Sequence, residues 1–339
     1  MAQGLKKCLP TSLEGWLEYI QTLHRRSIDL TLDRARRVAH VMHLVPTVPL
    51  ITVAGTNGKG TVVDFMQRVL TAEGVSVGSY TSPHLTHYSE RICHNGQPVD
   101  EVCLLESFEH VESARGGIAL TYFEFGTLAA MDVFRRWGVE FILLEVGLGG
   151  RLDATNIWAS DVSVITSIDY DHEAWLGSSR ESIAREKSGI LRYGCPVVIG
   201  DPAPPATLRR CAETLRCRAV YYGTDFDAVV SGEHWTFRLP PGGDHTSGKP
   251  ETLKLMLPDS WGETQAINAT IALSALSLLE SRINISAESV ARALNQEPLR
   301  GRLQRVAGPV ERILDVAHNP AATRQLCDFL TKNPVAGKT

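Results

Sequence analysis

The sequence predicts an α/β fold in which a mostly parallel β-sheet has helices on its faces. Short apolar strands alternate with helical segments along much of the chain, beginning with PLITVAG, VVDFMQRVLTAEG and VSVGSYTS. The first and third of these read as buried strands, and the second reads as a helix that ends at glycine. Strand–helix–strand repetition of this kind is typical of parallel sheets. Because ligands of such sheets bind at the carboxyl ends of the strands, functional residues are expected there.

The other elements follow in order along the chain. Residues 11–23 are predicted to form an amphipathic helix, with Thr11 and Glu14 at the spacing of a capping box. The stretch RLPPGGDHTSGKPETLKL is predicted to be a hairpin loop between short strands. Further strands are predicted in FILLEVGLGG, VSVITSI, PVVIG and VERILDVAHNP, and further helices over residues 122–137, 181–191, 266–279 and 286–294 and just after VERILDVAHNP.

Bulk properties exclude several classes of protein. The chain has 339 residues, which predicts two domains, and its 43% hydrophobic content allows a buried core. A net charge of -4 gives no general attraction to nucleic acid or to a membrane surface. The seven scattered cysteines form no C-x-x-C pair, so neither a disulfide framework nor a zinc site is expected. With no signal peptide and no run long enough to span a membrane, the prediction is a cytoplasmic protein.

The glycine-rich stretch ITVAGTNGKGT follows the first predicted strand. It does not fit the common phosphate-loop pattern G-x-x-x-x-G-K-[ST], because Val53 stands where the first glycine should be and Gly60 where the hydroxyl should be. Even so, strand, glycine loop, Lys59, the hydroxyl of Thr61 and helix occur in the order of an anion-binding unit. We therefore predict a nucleotide-binding loop. The alternative is a glycine-rich turn with a surface lysine.

Candidate polar residues follow later strands. Glu145 ends FILLE, where a carboxylate could hold magnesium or simply face solvent. His172, after Asp171 at the end of TSIDYDH, could be a ligand or a structural histidine. By itself, Lys187 in REKSGI reads as solvated charge.

The motif DVAHNP also follows a predicted strand. Its Asp315 and His318 are three residues apart, which suits a catalytic pair, a ribose contact or a helix-capping turn. The pattern alone leaves these three possibilities open.

Several motifs together indicate a family resemblance. In order they are GTNGKGT, YTSPHL, RICHNG, LTYFEFGTL, LEVGLGGRLDATN, TSIDYDH, REKSGI, INATIAL, GRLQ and DVAHNP. They resemble the folylpolyglutamate synthases, and most closely the bacterial bifunctional dihydrofolate synthase/folylpolyglutamate synthases of the Mur ligase superfamily. The phosphate loop of that superfamily reads G-T-[NK]-G-K-[GST]-[ST], which the chain matches. The resemblance runs to about Ala322 and implies a P-loop-type, mostly parallel sheet with flanking helices, as in the Mur ligase central domain.

The resemblance also implies an activity. Such enzymes use ATP and Mg²⁺ to phosphorylate the carboxylate of dihydropteroate or of a reduced folate. The amine of L-glutamate then attacks the acyl phosphate, giving an amide, ADP and phosphate. The implied partners are therefore these small molecules, with no nucleic acid and no membrane, and the implied state is a monomer. Because an acyl phosphate hydrolyses readily, closure of a second domain over the site is expected.

Matching residues can be carried over from the family motifs. Catalytic roles fall to Lys59, to Lys187 as a carbamate that supplies oxygen near the metal, and to His318. The implied magnesium ligands are Ser82, Glu145 and His172. The implied ATP-binding residues are Asn57, Gly58, Lys59, Gly60, Thr61, Asn268, Arg302 and Asp315. The implied pterin pocket is formed by Asp29, Leu30, Thr121, Phe123, Glu124, Asp153 and Ala154.

The resemblance divides the chain into two domains. Residues 1–298 correspond to the ATP-binding central domain with the pterin pocket, and residues 299–339 to the start of a Rossmann-like C-terminal glutamate-ligase domain. Family members continue through further elements beyond DVAHNP, so this second domain is expected to be incomplete and the strand VERILDV to have an uncovered edge. One alternative is a non-catalytic ATP-binding remnant. Another is a peptidoglycan Mur ligase, which SIDLTL and LTYFEFGTL argue against.

Overall fold

The computed structural model describes residues 9–240, 252–258, 261–279, 282–297, 299–306, 308, 310 and 312–333. Its α-helices are α1 (Leu13–Thr22), α2 (Asp33–Val41), α3 (Lys59–Ala72), α4 (Glu101–Arg115), α5 (Tyr122–Trp137), α6 (Glu173–Leu176), α7 (Arg180–Lys187), α8 (Ala206–Thr214), α9 (Glu263–Ser277), α10 (Ala287–Leu294) and α11 (Pro320–Lys332). Its strands are β1 (Leu50–Ala54), β2 (Val77–Tyr80), β3 (Ile92–His94), β4 (Gln97–Pro98), β5 (Phe141–Glu145), β6 (Val162–Ile165), β7 (Pro196–Ile199), β8 (Arg218–Tyr221), β9 (Asp227–Ser231), β10 (His234–Arg238), β11 (Thr252–Met256), β12 (Gln304–Val306) and β13 (Arg312–Leu314). The turn of the predicted hairpin, residues 241–251, and the predicted domain boundary at residue 298 lie outside the described residues.

Strands β1 to β8 form one sheet in the order β4-β3-β2-β5-β1-β6-β7-β8. From β2 to β8 in that order the strands run parallel, whereas β3 and β4 make an antiparallel edge. The predicted mostly parallel α/β sheet is therefore confirmed. Because β1 lies between β5 and β6, the segments that follow these three strands emerge side by side.

Helices cover both faces of the sheet. Alternate residues of β1 point to opposite faces, so Ile51 packs in the core that contains α3, α9 and α10, whereas Leu50 packs in the core with α1, α4 and α5. A third cluster packs β6 and β7 against α7 and α8, through residues such as Ile183 and Leu208. These layers leave the carboxyl ends of the strands uncovered.

Two smaller sheets complete the described fold. Strands β9, β10 and β11 form an antiparallel sheet, which confirms the strands predicted on either side of the hairpin loop. Trp235 and Phe237 of this sheet are buried in the core with α9, where the Trp235 Nε1 donates to Thr270 Oγ1 at 3.2 Å. Strands β12 and β13 form an antiparallel ribbon, and α11 follows it. This ribbon and helix bring DVAHNP toward the nucleotide loop.

Some predicted boundaries differ from the structure. The N-cap of α1 is Ser12, whose side chain accepts from Gly15 N at 3.2 Å, so the capping box predicted from Thr11 is wrong. Helix α3 begins at Lys59, three residues before the predicted VVDFMQ segment, because Gly58 adopts a left-handed φ of 86° and turns the chain directly into the helix. Within the described ranges, no helix has the length and apolar character needed to cross a membrane.

Candidate functional site

The glycine-rich loop between β1 and α3 is anchored to the segment that follows β6. Thr56 N donates to Ser167 O at 2.8 Å, and Asn57 N donates to Ser167 Oγ at 3.1 Å. In return, Thr166 Oγ1 donates to Asn57 O at 2.6 Å. The conformation of the loop is therefore fixed by hydrogen bonds to the neighbouring strand end, independently of any ligand.

Two glycines of this loop are required by close contacts. At Gly55, where φ is 153°, an added Cβ would lie 1.8 Å from Thr166 Oγ1. At Gly58, the N-cap of α3, an added Cβ would lie 2.5 Å from Asn268 Oδ1. The loop thereby places the amino terminus of a 14-residue helix at the sheet edge, where free backbone N–H groups favour an anion.

Two buried lysines meet at the start of the loop. Lys59 Nζ donates to Gly55 O and to Thr56 O, both at 3.1 Å, and Lys187 Nζ donates to the same Gly55 O at 2.7 Å. Burial lowers the pKa of Lys59, and the attraction of Glu145 opposes that shift. Burial, with the charge of Lys59 adding to it, lowers the pKa of Lys187 to about 7. Lys187, which by itself reads as a solvated charge, is in fact 5% exposed.

Glu145 faces the phosphate loop from the end of β5. The side chain is 3% exposed, and Oε2 accepts from Ser82 N at 3.1 Å. A Cβ added at Gly60 would lie 3.5 Å from the same oxygen, so the carboxylate points toward the start of α3. Burial raises the pKa of Glu145, and the positive charge of Lys59 opposes the increase.

This arrangement suits magnesium bound mainly by non-protein oxygens. In the described part of the chain, no cluster of three or more His, Cys, Asp or Glu side chains could hold a metal ion. Mg²⁺ usually takes one or two carboxylates and completes its shell with phosphate oxygens and water. A buried carboxylate next to Ser82 and opposite a phosphate loop fits that preference. Glu145 and Ser82 are therefore the residues that could hold the ion, with His172 as a further candidate.

Asp171 brings the histidine candidates together. His172 begins α6 from a left-handed φ of 50°, and its half-exposed ring has Nε2 3.8 Å from Asp171 Oδ1. His318 Nε2 lies 3.7 Å from Asp171 Oδ2, and Asn319 Nδ2 donates to the same oxygen at 3.3 Å. Asn319 also exchanges side-chain hydrogen bonds with Asn57 at 3.0 and 3.1 Å. The DVAHNP segment is thus bound directly to the nucleotide loop.

The opposite wall of the site is aromatic and rigidly held. Thr121 and Glu124 form the capping box of α5, with Thr121 N donating to Glu124 Oε2 at 2.7 Å. Phe123 packs on Tyr80 with ring centroids 5.7 Å apart, and a Cβ at Gly147 would lie 2.7 Å from the Phe123 ring. These contacts hold the Phe123 ring on the cavity wall beside polar groups, an arrangement that suits an aromatic ligand with polar substituents.

Asp153 and Asp29 shape the same wall. Asp153 Oδ2 accepts from Gly147 N at 3.0 Å and from Leu148 N at 2.9 Å, and so folds the glycine loop after β5. Arg34 connects Asp29 to the capping box: its Nη2 donates to Asp29 O at 3.0 Å and lies 3.2 Å from Glu124 Oε1.

Two cavities are lined by the predicted site residues other than Gly60. The larger, of about 500 Å³, is lined by Lys187 and His318 beside the nucleotide loop, by Arg302, and by all predicted metal and pterin residues. These metal and pterin residues are Asp29, Leu30, Ser82, Thr121, Phe123, Glu124, Glu145, Asp153, Ala154 and His172. The smaller, of about 240 Å³, is lined by Asn57, Gly58, Thr61, Asn268, Arg302 and Asp315. Gly60 lines neither cavity but lies against Glu145. Asn57, Gly58 and Arg302 line both cavities.

Comparison with known proteins decides the family. The dihydrofolate synthase/folylpolyglutamate synthase of Escherichia coli (strain K12) is 40% identical over 327 residues, which cover 96% of this chain and 74% of the relative. The chain belongs to the dihydrofolate synthase/folylpolyglutamate synthase family. No protein-family model matches the chain.

Solved structures of the dihydrofolate synthase/folylpolyglutamate synthase family have the same fold. The Escherichia coli enzyme in complex with DHPP and ADP superposes with a TM-score of 0.89 at 40% identity, over 98% of this chain and 77% of that one. A bifunctional folylpolyglutamate synthase/dihydrofolate synthase with Mn, AMPPNP and L-glutamate bound gives 0.84 at 39% identity, over 97% of this chain and 76% of that one. The chain thus spans about three quarters of the length of these relatives.

Several residues at this dihydrofolate synthase/folylpolyglutamate synthase site lie outside the sequence predictions. Asp171 and Asn319 adjoin predicted histidines, and their positions within TSIDYDH and DVAHNP were the available signal. Arg91 lines the larger cavity, and it begins the motif RICHNG. Arg34 lies behind the cavity wall on α2, where nothing in the sequence distinguishes it from the exposed arginines around it.

Proposed function

We propose that the chain is an ATP-dependent ligase that joins L-glutamate to 7,8-dihydropteroate and to reduced folates. A carboxylate oxygen of the pterin substrate attacks the γ-phosphorus of ATP, and ADP leaves, giving an acyl phosphate. The amine of glutamate then attacks the acyl carbon, loses a proton as the amide forms, and displaces phosphate. The relatives solved with DHPP and ADP, and with AMPPNP and L-glutamate, support this choice of substrates.

One observation carries the proposal: a single cavity joins the nucleotide loop to the aromatic wall around Phe123. The loop at the start of α3 forms an anion-binding part of this cavity, and the Phe123 ring forms an apolar part. Glu145 lies between them on β5, which follows from the strand order. A substrate that stacks at the aromatic end therefore directs its far end, a carboxylate, toward the γ-phosphate. This is the geometry that an acyl-phosphate mechanism needs.

The nucleotide end is built to neutralise charge. In the proposal the loop residues Asn57, Gly58, Gly60 and Thr61 cradle the phosphates, Lys59 neutralises the transferring phosphoryl group, and Asn268, Arg302 and Asp315 hold the rest of ATP in the smaller cavity. Such stabilisation is the main requirement of phosphoryl transfer. Mg²⁺, when bound, would add positive charge between the phosphates. Ser82, Glu145 and His172 are the residues proposed to hold it.

Lys187 is proposed to be carboxylated. Formation of a carbamate needs a neutral amine, and burial lowers the pKa of Lys187 to about 7, so that a large fraction is neutral at physiological pH. In this reaction the amine nitrogen attacks CO₂, a proton leaves, and a carbamate anion results. This change replaces a buried cation next to Lys59 by an anion, which removes a repulsion. Bound in this way, Lys187 would supply oxygen near the metal.

The C-terminal segment is proposed to belong to a second domain that closes on the cleft. Residues 1–298 would form the ATP-binding domain and residues 299–339 the start of the glutamate-ligase domain. The contacts of His318 and Asn319 with Asp171 and Asn57 support this view, because they join the two parts at the nucleotide loop. His318 would then act at the reaction centre. The free cysteines in the described residues fit a reducing, cytoplasmic setting for a monomeric enzyme.

Product formation by this 339-residue chain tests the proposal. The chain is incubated with ATP, Mg²⁺, dihydropteroate and L-glutamate, and ADP release and dihydrofolate are measured by a coupled assay and by mass spectrometry. ADP should form only when both dihydropteroate and glutamate are present, and Glu145→Gln should lower the rate by at least about 100-fold. Tight binding of Mg-AMPPNP without any turnover would instead support a nucleotide-binding protein without catalysis.

A further inference from the structure

Arg91 lies on the wall of the larger cavity between the metal and the pterin candidates. It ends the 3₁₀ turn Tyr88–Arg91 and lines the cavity together with Ser82, Thr121 and Glu145. Its backbone carbonyl accepts from Thr81 N at 2.9 Å, so Arg91 is tied to the segment that carries Ser82. None of the roles proposed above uses this cation.

The side chain of Arg91 is held on two sides. Its guanidinium carbon lies 5.4 Å from the ring centroid of Tyr88 and 5.7 Å from that of Tyr122, two rings that pack edge to face. Its Nε donates to His84 Nδ1 at 2.8 Å. These contacts are with two phenol rings and an imidazole, so they provide no counter-ion for the guanidinium, and they hold its side chain in place before any ligand binds.

Among the described residues, Arg91 forms no ion pair with a carboxylate. Its sequence neighbour Glu90 turns away and accepts from Leu85 N at 2.8 Å and His87 N at 3.0 Å within its own turn. Arg91 is half-buried, unlike the exposed arginines of the surface helices. A half-buried guanidinium on a cavity wall without an acidic partner is suited to bind an anionic ligand.

The surroundings decide which anion. Lys59 is at the nucleotide loop, and Arg302 lines both cavities, so the phosphate end already has its cations. Arg91 instead lies with Thr121 on the side of the aromatic wall. Arg91 O accepts from Thr81 N, and the next residue, Ser82, donates its N–H to Glu145 Oε2 at 3.1 Å, so Arg91 is also near the end of β5. An anion at this point lies between the ring-binding wall and the phosphate loop.

We propose that Arg91 binds the carboxylate of the pterin substrate and holds it in line with the phosphate loop. The inference rests on the proposed function and adds a substrate-binding residue to it. The two Nη nitrogens offer a planar fork that matches the two oxygens of a carboxylate. Holding this group fixes the position of the attacking oxygen before phosphoryl transfer. Arg91 does not contribute to binding of the neutral ring end of the substrate.

Binding of a matched pair of ligands tests the inference. Dihydropteroate and its carboxamide, in which the carboxylate is replaced by a neutral amide, are titrated into the chain in the presence of Mg-AMPPNP. The unmodified chain should prefer the carboxylate. Arg91→Gln should weaken dihydropteroate binding by about 10- to 100-fold, the loss expected for a charged hydrogen-bonded pair, and change carboxamide binding by less than about 3-fold. Arg91→Lys keeps the positive charge but lacks the planar fork, so its affinity for dihydropteroate should lie between those of the unmodified chain and Arg91→Gln.

Controls separate this result from damage to the fold. Arg136→Gln removes an arginine on α5 that pairs with Glu106 outside the cavity and should leave both affinities unchanged. Mg-AMPPNP affinity should be the same in all variants. If Arg91→Gln fails to fold, the carboxylate preference of Arg91→Lys alone tests the inference. An undiminished carboxylate preference in the Arg91 variants, or a loss of Mg-AMPPNP affinity instead, overturns the inference while the proposed function stands. If the unmodified chain binds neither pterin ligand, the proposed function fails as well.

Discussion

Lys187 should make the ligand-free protein less stable at low pH. The folded protein holds the pKa of this lysine at about 7, mainly through burial, whereas the ordinary value is 10.5. The difference corresponds to about 5 kcal/mol, which is the order of magnitude of the cost of keeping a charged amine in this site. Below pH 7 the lysine is protonated in both states and the full cost applies. Between pH 7 and 10.5 the unfolded chain binds more protons, so stability rises with pH.

The perturbation is Lys187→Met, which keeps an unbranched side chain and removes the charge. It also removes the hydrogen bond to Gly55 O, worth about 1 kcal/mol, although Lys59 still donates to that oxygen. We therefore expect the variant to be about 4 kcal/mol more stable than the parent at pH 6. The advantage should shrink by roughly 1.4 kcal/mol for each pH unit above 7 and disappear near pH 10.

Urea unfolding at pH 6, 8 and 9.5 measures the difference, in chelator-containing buffer free of nucleotide and CO₂. Lys254→Met, at an exposed position on β11, is the control and should show a pH-independent difference from the parent. A Lys187→Met advantage that is the same at all three pH values would show that the buried charge of Lys187 does not destabilise the protein. Added bicarbonate should stabilise the parent at pH 8 and leave Lys187→Met unchanged, as the carbamate proposal requires.

Three other perturbations follow from named contacts. Gly55→Ala should abolish Mg-ATP binding in calorimetry, because its Cβ would lie 1.8 Å from a threonine oxygen, whereas Gly74→Ala, with nothing within 4 Å, should retain it. Asn57→Ala and Asn319→Ala should be non-additive in urea unfolding, with a coupling of about 1 kcal/mol, because the two amides bond each other; additive effects would contradict this. Arg34→Met should raise the KM for dihydropteroate without raising the KM for ATP. It should also lower the free energy of unfolding by about 1–3 kcal/mol, because it leaves the buried carboxylate of Glu124 without its cation. Equal increases in both KM values would argue against a positioning role.

The strands and the nucleotide loop could be predicted because their signals are local. In β1 and β5 the apolar run, its length and the following glycine or acid all lie within a few residues. Helix α4, by contrast, lies outside the predicted elements, although Leu104, Phe108 and Val111 are buried along one face. Its polar residues obscure that face in the sequence, and only packing against α5 reveals it.

Site residues that act through other residues could not be predicted in the same way. Asp171 matters because a segment nearly 150 positions away places His318 and Asn319 against it, with the Asn319 contact spanning 148 residues. Arg34 matters because α2 packs near the start of α5, 90 residues further along the chain. Side-chain spacing within one element carries no information about such pairs. Motif matching located the residues proposed to touch ligands, with the exception of Arg91, and passed over those that hold them in position.

The carbonyl of Gly55 links the nucleotide loop to Lys187. Lys59 and Lys187 both donate to this oxygen, and the positive charge of Lys59 adds to burial in lowering the pKa of Lys187. A triphosphate would relieve the repulsion by neutralising Lys59, and a carbamate would relieve it by converting Lys187 to an anion. Because the carbamate proposed for Lys187 would supply oxygen near the Mg²⁺ that accompanies the nucleotide, carboxylation and Mg-nucleotide binding should favour each other. Bicarbonate should therefore tighten Mg-AMPPNP binding by the parent chain, and the absence of that effect in Lys187→Met would locate the coupling at Lys187.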